Sequence, residues 1–447
     1  MKPFQKIVLS IILGGITFVI SQYFLAYNYS ILLAIITMLI TLWTNEGLPI
    51  GVVSLLPLIL FPVFNILSVN DTAVNYSKSI IFLFLGGFML AIATEKTGLH
   101  KVIANKLMSI FPKTPWGILF SVSLASALLS SVISNTTTAL LLVPVATFLT
   151  KNKKLTIRLL LAVAFGASIG GIITPIGTPP NLIFMGFLDD HQLPSIPFMQ
   201  WVEFMLPLAT IMLFLMSWIM SRGINKEDLE INIEWVPYTH EHKRLVTILV
   251  LLLLLLFANS PIKPYYNGLG LNEKMILLSF GLLMFIPKIG FLEWKDSKKI
   301  PYEIIFLFGA GFSIATAFTA TGLSKELAQY LLGLQDLPLF WILIIIGAFA
   351  ALLTEITSNT ALTAVLLPII FGLSSVFPPR EMLLLQLVAT ICASYAFMLP
   401  ISTPPNAIAM STGLVKVKDM VRFGVIFDFV GIILVAVAAY FYWQVLL

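Results

Sequence analysis

The stretch Pro175–Asn181 reads PIGTPPN and Pro400–Asn406 reads PISTPPN, with six of seven residues the same. Proline cannot donate to the carbonyl four residues back and its ring displaces that carbonyl, so each phrase predicts a break in a helix. Asn181 and Asn406, good capping residues, are read as caps of the half-helices that resume. Thr178 and Thr403 are left as hydroxyls facing the gaps.

The surroundings are oily. Of 447 residues, 59% are hydrophobic and 11% charged, with a mean hydropathy of +0.99, against roughly 25% charged in a soluble domain. Apolar runs long enough to cross a core of about 30 Å recur; they include Ile7–Leu25, Leu245–Ile262 and Phe429–Leu447. The expected fold class is an all-α polytopic membrane protein, multi-pass in the cell (plasma or inner) membrane. Ile7–Leu25 follows Lys2 and Lys6 and lacks a small-residue cleavage site, so it reads as a retained helix with a cytoplasmic amino terminus. The net charge of +5 is assigned to Lys and Arg in cytoplasmic loops, not to a nucleic-acid partner. Cys392 is the single cysteine, so no internal disulfide can form, and the four histidines have no metal-like spacing.

The chain repeats its plan. IIFLFLGGFMLAIATEKTGLHK (80–101) matches IIFLFGAGFSIATAFTATGLSK (304–325) at 13 of 22 positions, an offset of 224. SNTTTALLLVP from Ser134 and SNTALTAVLLP from Ser358 keep that offset, and the proline phrases lie 225 apart. Residues 1–29 then form a first helix, 30–222 and 243–447 two repeats, and 223–242 a cytoplasmic linker. Each repeat should hold a re-entrant hairpin, at about 117–149 and 338–373, and a broken helix, at 174–181 and 399–406. Lys101, Lys106, Lys113, Lys151, Lys153, Lys154 and Arg158 put both ends of the first hairpin on the cytoplasmic side. Lys325, Glu326, Asp336, Arg380 and Glu381 give the second no basic excess, so it should enter from outside. Two similar halves of opposite orientation are the signature of an inverted-repeat secondary transporter, whose site lies at the paired breaks.

The tips carry Ser134, Asn135 and Thr136, then Ser358, Asn359 and Thr360. Ser and Asn favour helix starts, so each tip should present free N–H groups and the positive end of a helix dipole. Two such ends with two amides and two Thr hydroxyls suit a small anion with a carboxylate at each end. Carbonyls freed at the breaks, with Ser and Thr hydroxyls, are hard ligands for Na⁺. Thr137 and Thr138 face Ala361 and Leu362 in the second copy and are read as packing residues. Glu355, in TEITSNT, has Ser131 as its counterpart; it is read as support for the hairpin tip, with a proton relay the other possibility. Glu95 and Glu303 are placed at helix ends, in interfacial water. Acid-free breaks argue against a cation/proton antiporter, and the absence of a nucleophile with a base beside these motifs argues against an enzyme.

The twin SNT motifs, GTPPN and STPPN, GGFM and GAGF, and TEITSNT with ASYAFMLPISTPPNAIA resemble the divalent anion:sodium symporter family, the INDY-type dicarboxylate transporters. The resemblance covers nearly the full length. It implies a homodimer with a scaffold domain and a transport domain that moves as an elevator. It implies substrate contacts from Asn135, Thr136, Asn359 and Thr360, with Thr178 and Thr403 nearby and Ser134, Ser358 and Pro404 lining the same site. One Na⁺ site would use Ser130, Ser134, Asn135 and the backbone at Gly177; the other, Thr354, Thr357, Asn359 and the backbone at Ser402. Thr357 and Ser402 stand where members often have alanine. The implied activity is Na⁺-coupled symport of C4 or C5 dicarboxylates such as succinate, malate, fumarate or 2-oxoglutarate, with no organic cofactor. Dicarboxylate exchange is the alternative within that family.

Overall fold

The computed structural model describes residues 2–45, 47–224, 237–259, 266–323, 326, 333, 336–375 and 377–446. Most of the linker expected at 223–242 therefore lies outside the described residues. Seven described helical stretches are long and apolar enough to cross a membrane: Pro3–Ser21, Tyr27–Asn45, Val69–Thr97, Lys153–Gly171, Phe198–Ser221, Tyr302–Thr321 and Val417–Leu446. The protein is an all-helical, multi-pass membrane protein.

We number the principal helices in chain order. The first half holds α1 (Pro3–Ser21), α2 (Tyr27–Asn45), α3 (Ser79–Thr97), α4 (Pro115–Ser130), α5 (Asn135–Phe148), α6 (Lys153–Gly171), α7 (Pro179–Asp190) and α8 (Phe198–Ser221). The second holds α9 (His240–Asn259), α10 (Glu273–Leu283), α11 (Tyr302–Thr321), α12 (Leu339–Thr354), α13 (Asn359–Phe371), α14 (Pro379–Ala393), α15 (Pro404–Ser411) and α16 (Val417–Val437). Helices α4 and α5, of 16 and 14 residues, are about 24 and 21 Å long at 1.5 Å per residue. Neither reaches across a core of about 30 Å. The same holds for α12 and α13, with 16 and 13 residues.

Burial grades from rim to centre. In α1 17% of the span is buried, whereas in α6 the share is 89%; α6 is the pillar against which the first hairpin and α15 pack. Small residues make that packing close. A Cβ at Gly170 would stand 2.2 Å from the Ala127 Cα, so α6 and α4 touch backbone to backbone. Gly86 of the GGFM segment meets Leu277 and Gly281 of α10 in the same way. Leu251, Leu253, Leu254 and Phe257 of α9 face outward, as lipid allows. Ion pairs hold both ends of α3: Lys78 with Asp190 and Lys274 with Asp189 at one end, Lys96 with Asp296 (2.6 Å) and Lys299 with Glu95 (3.1 Å) at the other. Glu95 thus has a protein partner at its helix end.

The resumed half-helices cross over. Helix α7, of the first repeat, packs on α13 and α14 of the second; α15, of the second, packs on α5 and α6 of the first. Each half therefore completes the other's packing around the breaks.

Candidate functional site

The proline pairs open helices rather than lie within gaps. Helix α6 ends at Gly171 and α7 begins at Pro179; α14 ends at Ala393 and α15 begins at Pro404. The unwound segments are thus 172–178 and 394–403, earlier than the 174–181 and 399–406 expected. The reason is that a proline at the first helical positions gives up an N–H that has no partner there anyway.

The asparagines of the two phrases are not the caps. Thr178 and Thr403 hold the N-cap positions, in extended backbone, and the Thr403 hydroxyl accepts the Asn406 N–H at 3.4 Å. Asn181 and Asn406 instead reach back across the break. Asn181 Nδ2 donates to the carbonyls of Gly171 (3.1 Å) and Thr174 (2.9 Å). Asn406 Nδ2 donates to those of Ala396 and Leu399, both at 3.0 Å. The spacing is the same in both repeats, ten and seven residues back. Proline frees the carbonyls and asparagine collects them, which answers the need to satisfy backbone at membrane depth. Thr178 and Thr403 are 2% and 4% exposed, so their side chains are walls of the break, not open surface.

The tips repeat one geometry as well. Ser134 and Ser358 are the N-caps of α5 and α13, accepting N–H groups from Thr137 (3.1 Å) and Ala361 (3.5 Å). Asn135 and Asn359 follow as first helical residues. Ser130 Oγ donates to Asn135 Oδ1 and Thr354 Oγ1 to Asn359 Oδ1, both at 2.6 Å and both five residues apart. Asn135 and Thr136 are partly exposed, as are Ser358 and Asn359, while Thr360 is buried.

Tip and break meet within each half. A Cβ on Gly171 would lie 2.8 Å from Asn135 Oδ1 and 3.2 Å from Thr178 Cβ. One on Gly177 would lie 2.4 Å from the Gly171 carbonyl oxygen and 3.0 Å from that of Ser130. Ser130, Asn135, Gly171, Gly177 and Thr178 therefore form one cluster of neutral oxygens. In the second half the Ala393 carbonyl lies 2.8 Å from Thr354 Oγ1 and competes with Asn359 Oδ1 for its single proton. Ser402 Oγ donates to Leu399 O (2.6 Å) and receives Asn406 Nδ2 (3.2 Å). Thr357 turns its hydroxyl back to Leu353 O, at 2.7 Å. Pro404 is exposed at the start of α15.

Two carboxyl groups lie beside the second break. Glu355, 2% exposed, accepts the N–H groups of Met398 (2.7 Å) and Leu399 (2.9 Å). It therefore ties the hairpin tip, on which it stands, to the unwound segment. Asp428 of α16, 5% exposed, accepts the Phe397 N–H at 3.4 Å, one residue before the N–H groups that Glu355 holds. Sequence reading missed Asp428, although an acid in the middle of VIFDFVG is the usual pointer to function in a membrane helix.

A sequence model of one protein family, described as Citrate transporter, matches residues 31–389. The chain belongs to the citrate transporter family. Full-length relatives agree: it is 31% identical to the sodium-dependent dicarboxylate transporter SdcS of Staphylococcus saprophyticus over 92% of this chain and 85% of that one. With SdcS of Staphylococcus aureus the identity is 30%, covering 100% of this chain and 93% of the relative. The resemblance to divalent anion:sodium symporters holds, and this citrate transporter family chain is a carrier rather than an enzyme. Two solved structures share its fold. The Alcanivorax borkumensis YdaH transporter superposes with a TM-score of 0.59 at 17% identity, over 86% of this chain and 89% of that one. The Neisseria gonorrhoeae antimetabolite efflux pump MtrF gives 0.57 at 15%, over 93% and 95%.

Proposed function

We propose that this chain is a Na⁺-coupled symporter of C4 or C5 dicarboxylates. The observation that carries the reading is the twinned geometry at two breaks, with a serine-capped tip, an asparagine amide held by a hydroxyl five residues back, and a second asparagine gathering freed carbonyls. Two helix starts and neutral donors can hold a carboxylate at each end of a small dianion without a fixed arginine. Asn135, Thr136, Asn359 and Thr360 would meet the carboxylates, with Thr178, Thr403 and Pro404 as walls. One Na⁺ would sit among Ser130, Ser134, Asn135 and the Gly177 backbone; another among Thr354, Thr357, Asn359 and the Ser402 backbone. The sodium dependence and dicarboxylate substrate in the names of the full-length relatives support this reading.

The two halves, 30–222 and 243–447, would be inverted repeats joined by the 223–242 linker, with short arms too brief to span serving as re-entrant hairpins. Transport would proceed by an elevator motion of hairpins and broken helices against a dimeric scaffold, in the cell membrane with a cytoplasmic amino terminus.

Labelled succinate in proteoliposomes tests the coupling. Uptake should rise with an inward Na⁺ gradient and collapse when Na⁺ is replaced by choline; uptake indifferent to the gradient rejects symport, and uptake that requires internal dicarboxylate identifies an exchanger. Gly177→Ala probes the first cation cluster. Its methyl must force apart the Gly171 and Ser130 carbonyls, so Na⁺-driven uptake is expected to fall on the order of ten-fold or more while protein yield stays near wild type. Unchanged Na⁺ dependence in the same assay would remove Gly177 from the site.

A further inference from the structure

We propose that a groove between the start of α9 and the turn after α10 binds an anionic phospholipid, with its phosphate between Lys243 and Lys288 and its chains along the outer face of α9. The inference stands apart from the substrate and sodium reading.

The groove is a cavity of about 410 Å³ whose walls include His240, Lys243, Arg244, Ile248, Lys288 and Ile289. Among the described residues that line it there are three basic side chains and a histidine, and no acid. Glu241 lines a neighbouring cavity of about 850 Å³ instead, together with Lys96 and Glu293. Charge is matched there, since Lys96 pairs with Asp296 and Lys295 with Glu293, both at 2.6 Å. In the smaller cavity it is not: among the described residues neither the Lys243 nor the Lys288 ammonium has an ion pair or a hydrogen bond. Two cations on one cavity repel, and an anion between them reverses the sign of that interaction.

The wall opposite α9 is built at the expense of backbone strain. Lys288 stands at φ +69°, in the left-handed region that side chains other than glycine rarely adopt. Arg244 holds it there, donating from Nη1 to the Lys288 carbonyl at 2.8 Å while its guanidinium lies 4.4 Å from the centre of the Phe291 ring. The Gly290 N–H closes the turn on the Ile286 carbonyl at 2.8 Å. Arg244 is thus a positioning residue, and it fixes Lys288 on the same cavity as Lys243.

What lies above the basic residues decides between a lipid and a soluble anion. On α9, His240, Lys243, Thr247, Leu251 and Leu254 recur every three or four residues and are all exposed, so they form one stripe of the helix surface. It is cationic at its start and wholly apolar from Val250 onward. Across the groove, Leu282, Ile286 and Ile289 are exposed apolar residues as well. From Lys243 to Leu254 the stripe rises about 16 Å at 1.5 Å per residue, close to half of a hydrocarbon core of about 30 Å. A phosphate held by the two lysines therefore leaves its acyl chains against leucine over the depth of one leaflet, the arrangement that juxtamembrane basic residues favour.

Full-length protein in detergent, titrated with phosphatidylglycerol or with phosphatidylcholine of the same chains, tests the site through melting temperature and through lipid retained in native mass spectra. The wild type should retain phosphatidylglycerol and gain several degrees from it, with little gain from phosphatidylcholine. The double change Lys243→Gln with Lys288→Gln should raise half-saturating phosphatidylglycerol about ten-fold or more, whereas Lys153→Gln with Lys418→Gln, which removes the same charge from other exposed positions, should leave it within about two-fold. Should the double variant not fold, each lysine changed singly is read in the same way. Equal effects of the two lipids on the wild type, or equal losses in both double variants, overturn the site. A full thermal gain from water-soluble glycerol phosphate would make it a site for free anions and overturn the lipid, and a wild-type dimer that retains no lipid would mean that a second copy covers this face.

Discussion

Asn135→Ala and Asn359→Ala are each expected to reduce dicarboxylate uptake by about 100-fold or more, with expression and ligand-free melting temperature near wild type. Each amide is asked to serve two ligands, since its Nδ2 is free to donate to a carboxylate while its Oδ1 already sits 2.6 Å from the hydroxyl of Ser130 or Thr354. A hydrogen bond to a charged group contributes about 1.5–3 kcal/mol, and loss of the oxygen weakens the adjacent cation cluster as well. Both asparagines are half-buried first residues of their helices, so truncation leaves the serine caps and the helices intact. Thr137→Ala is the control. Ser134 Oγ donates to the Thr137 hydroxyl at 2.8 Å but keeps the Thr137 N–H at 3.1 Å when the hydroxyl goes. Uptake by that variant should stay within about three-fold of wild type. A loss in Thr137→Ala equal to that in Asn135→Ala would place the site elsewhere.

Asn406→Ala should fail differently, by destabilisation. Its Nδ2 serves the carbonyls of Ala396 and Leu399 and the Ser402 hydroxyl, and the residue is fully buried. Leu399 O keeps the Ser402 hydroxyl at 2.6 Å, so Ala396 O is the acceptor left short of a donor; that costs about 1–3 kcal/mol and should lower the melting temperature by a few degrees and abolish uptake together with it. Asn181→Ala, with the same two contacts in the first half, should behave alike. A melting curve unchanged in both variants would mean that water takes over the carbonyls, and the bracing role assigned to these amides would fall.

The repeat register, the helical breaks and the serine-led tips were legible because each depends on residues near one another in sequence: a proline pair, a serine before a helix, an offset preserved across three motifs. The role of Asn181 and Asn406 was misread because asparagine is a good cap and the threonine two residues before the second proline is another; only the back-reach over seven and ten residues decides between them. Asp428 escaped notice for a different reason. It stands in the apolar part of α16, its counterpart at the 225 offset of the proline phrases is the exposed Glu203, and its tie to the Phe397 N–H, 31 positions earlier, is visible only in the fold. Nor could any local pattern disclose that α7 rests on the second hairpin and α15 on the first, since that pairing is purely long-range.

That exchange of half-helices ties the two copies together. A chain with a single copy of the plan would leave the flank of its short proline-started helix bare and its capped tip without a neighbour. Two such copies cure both defects by trading the same segments, so neither half of this chain closes its own break.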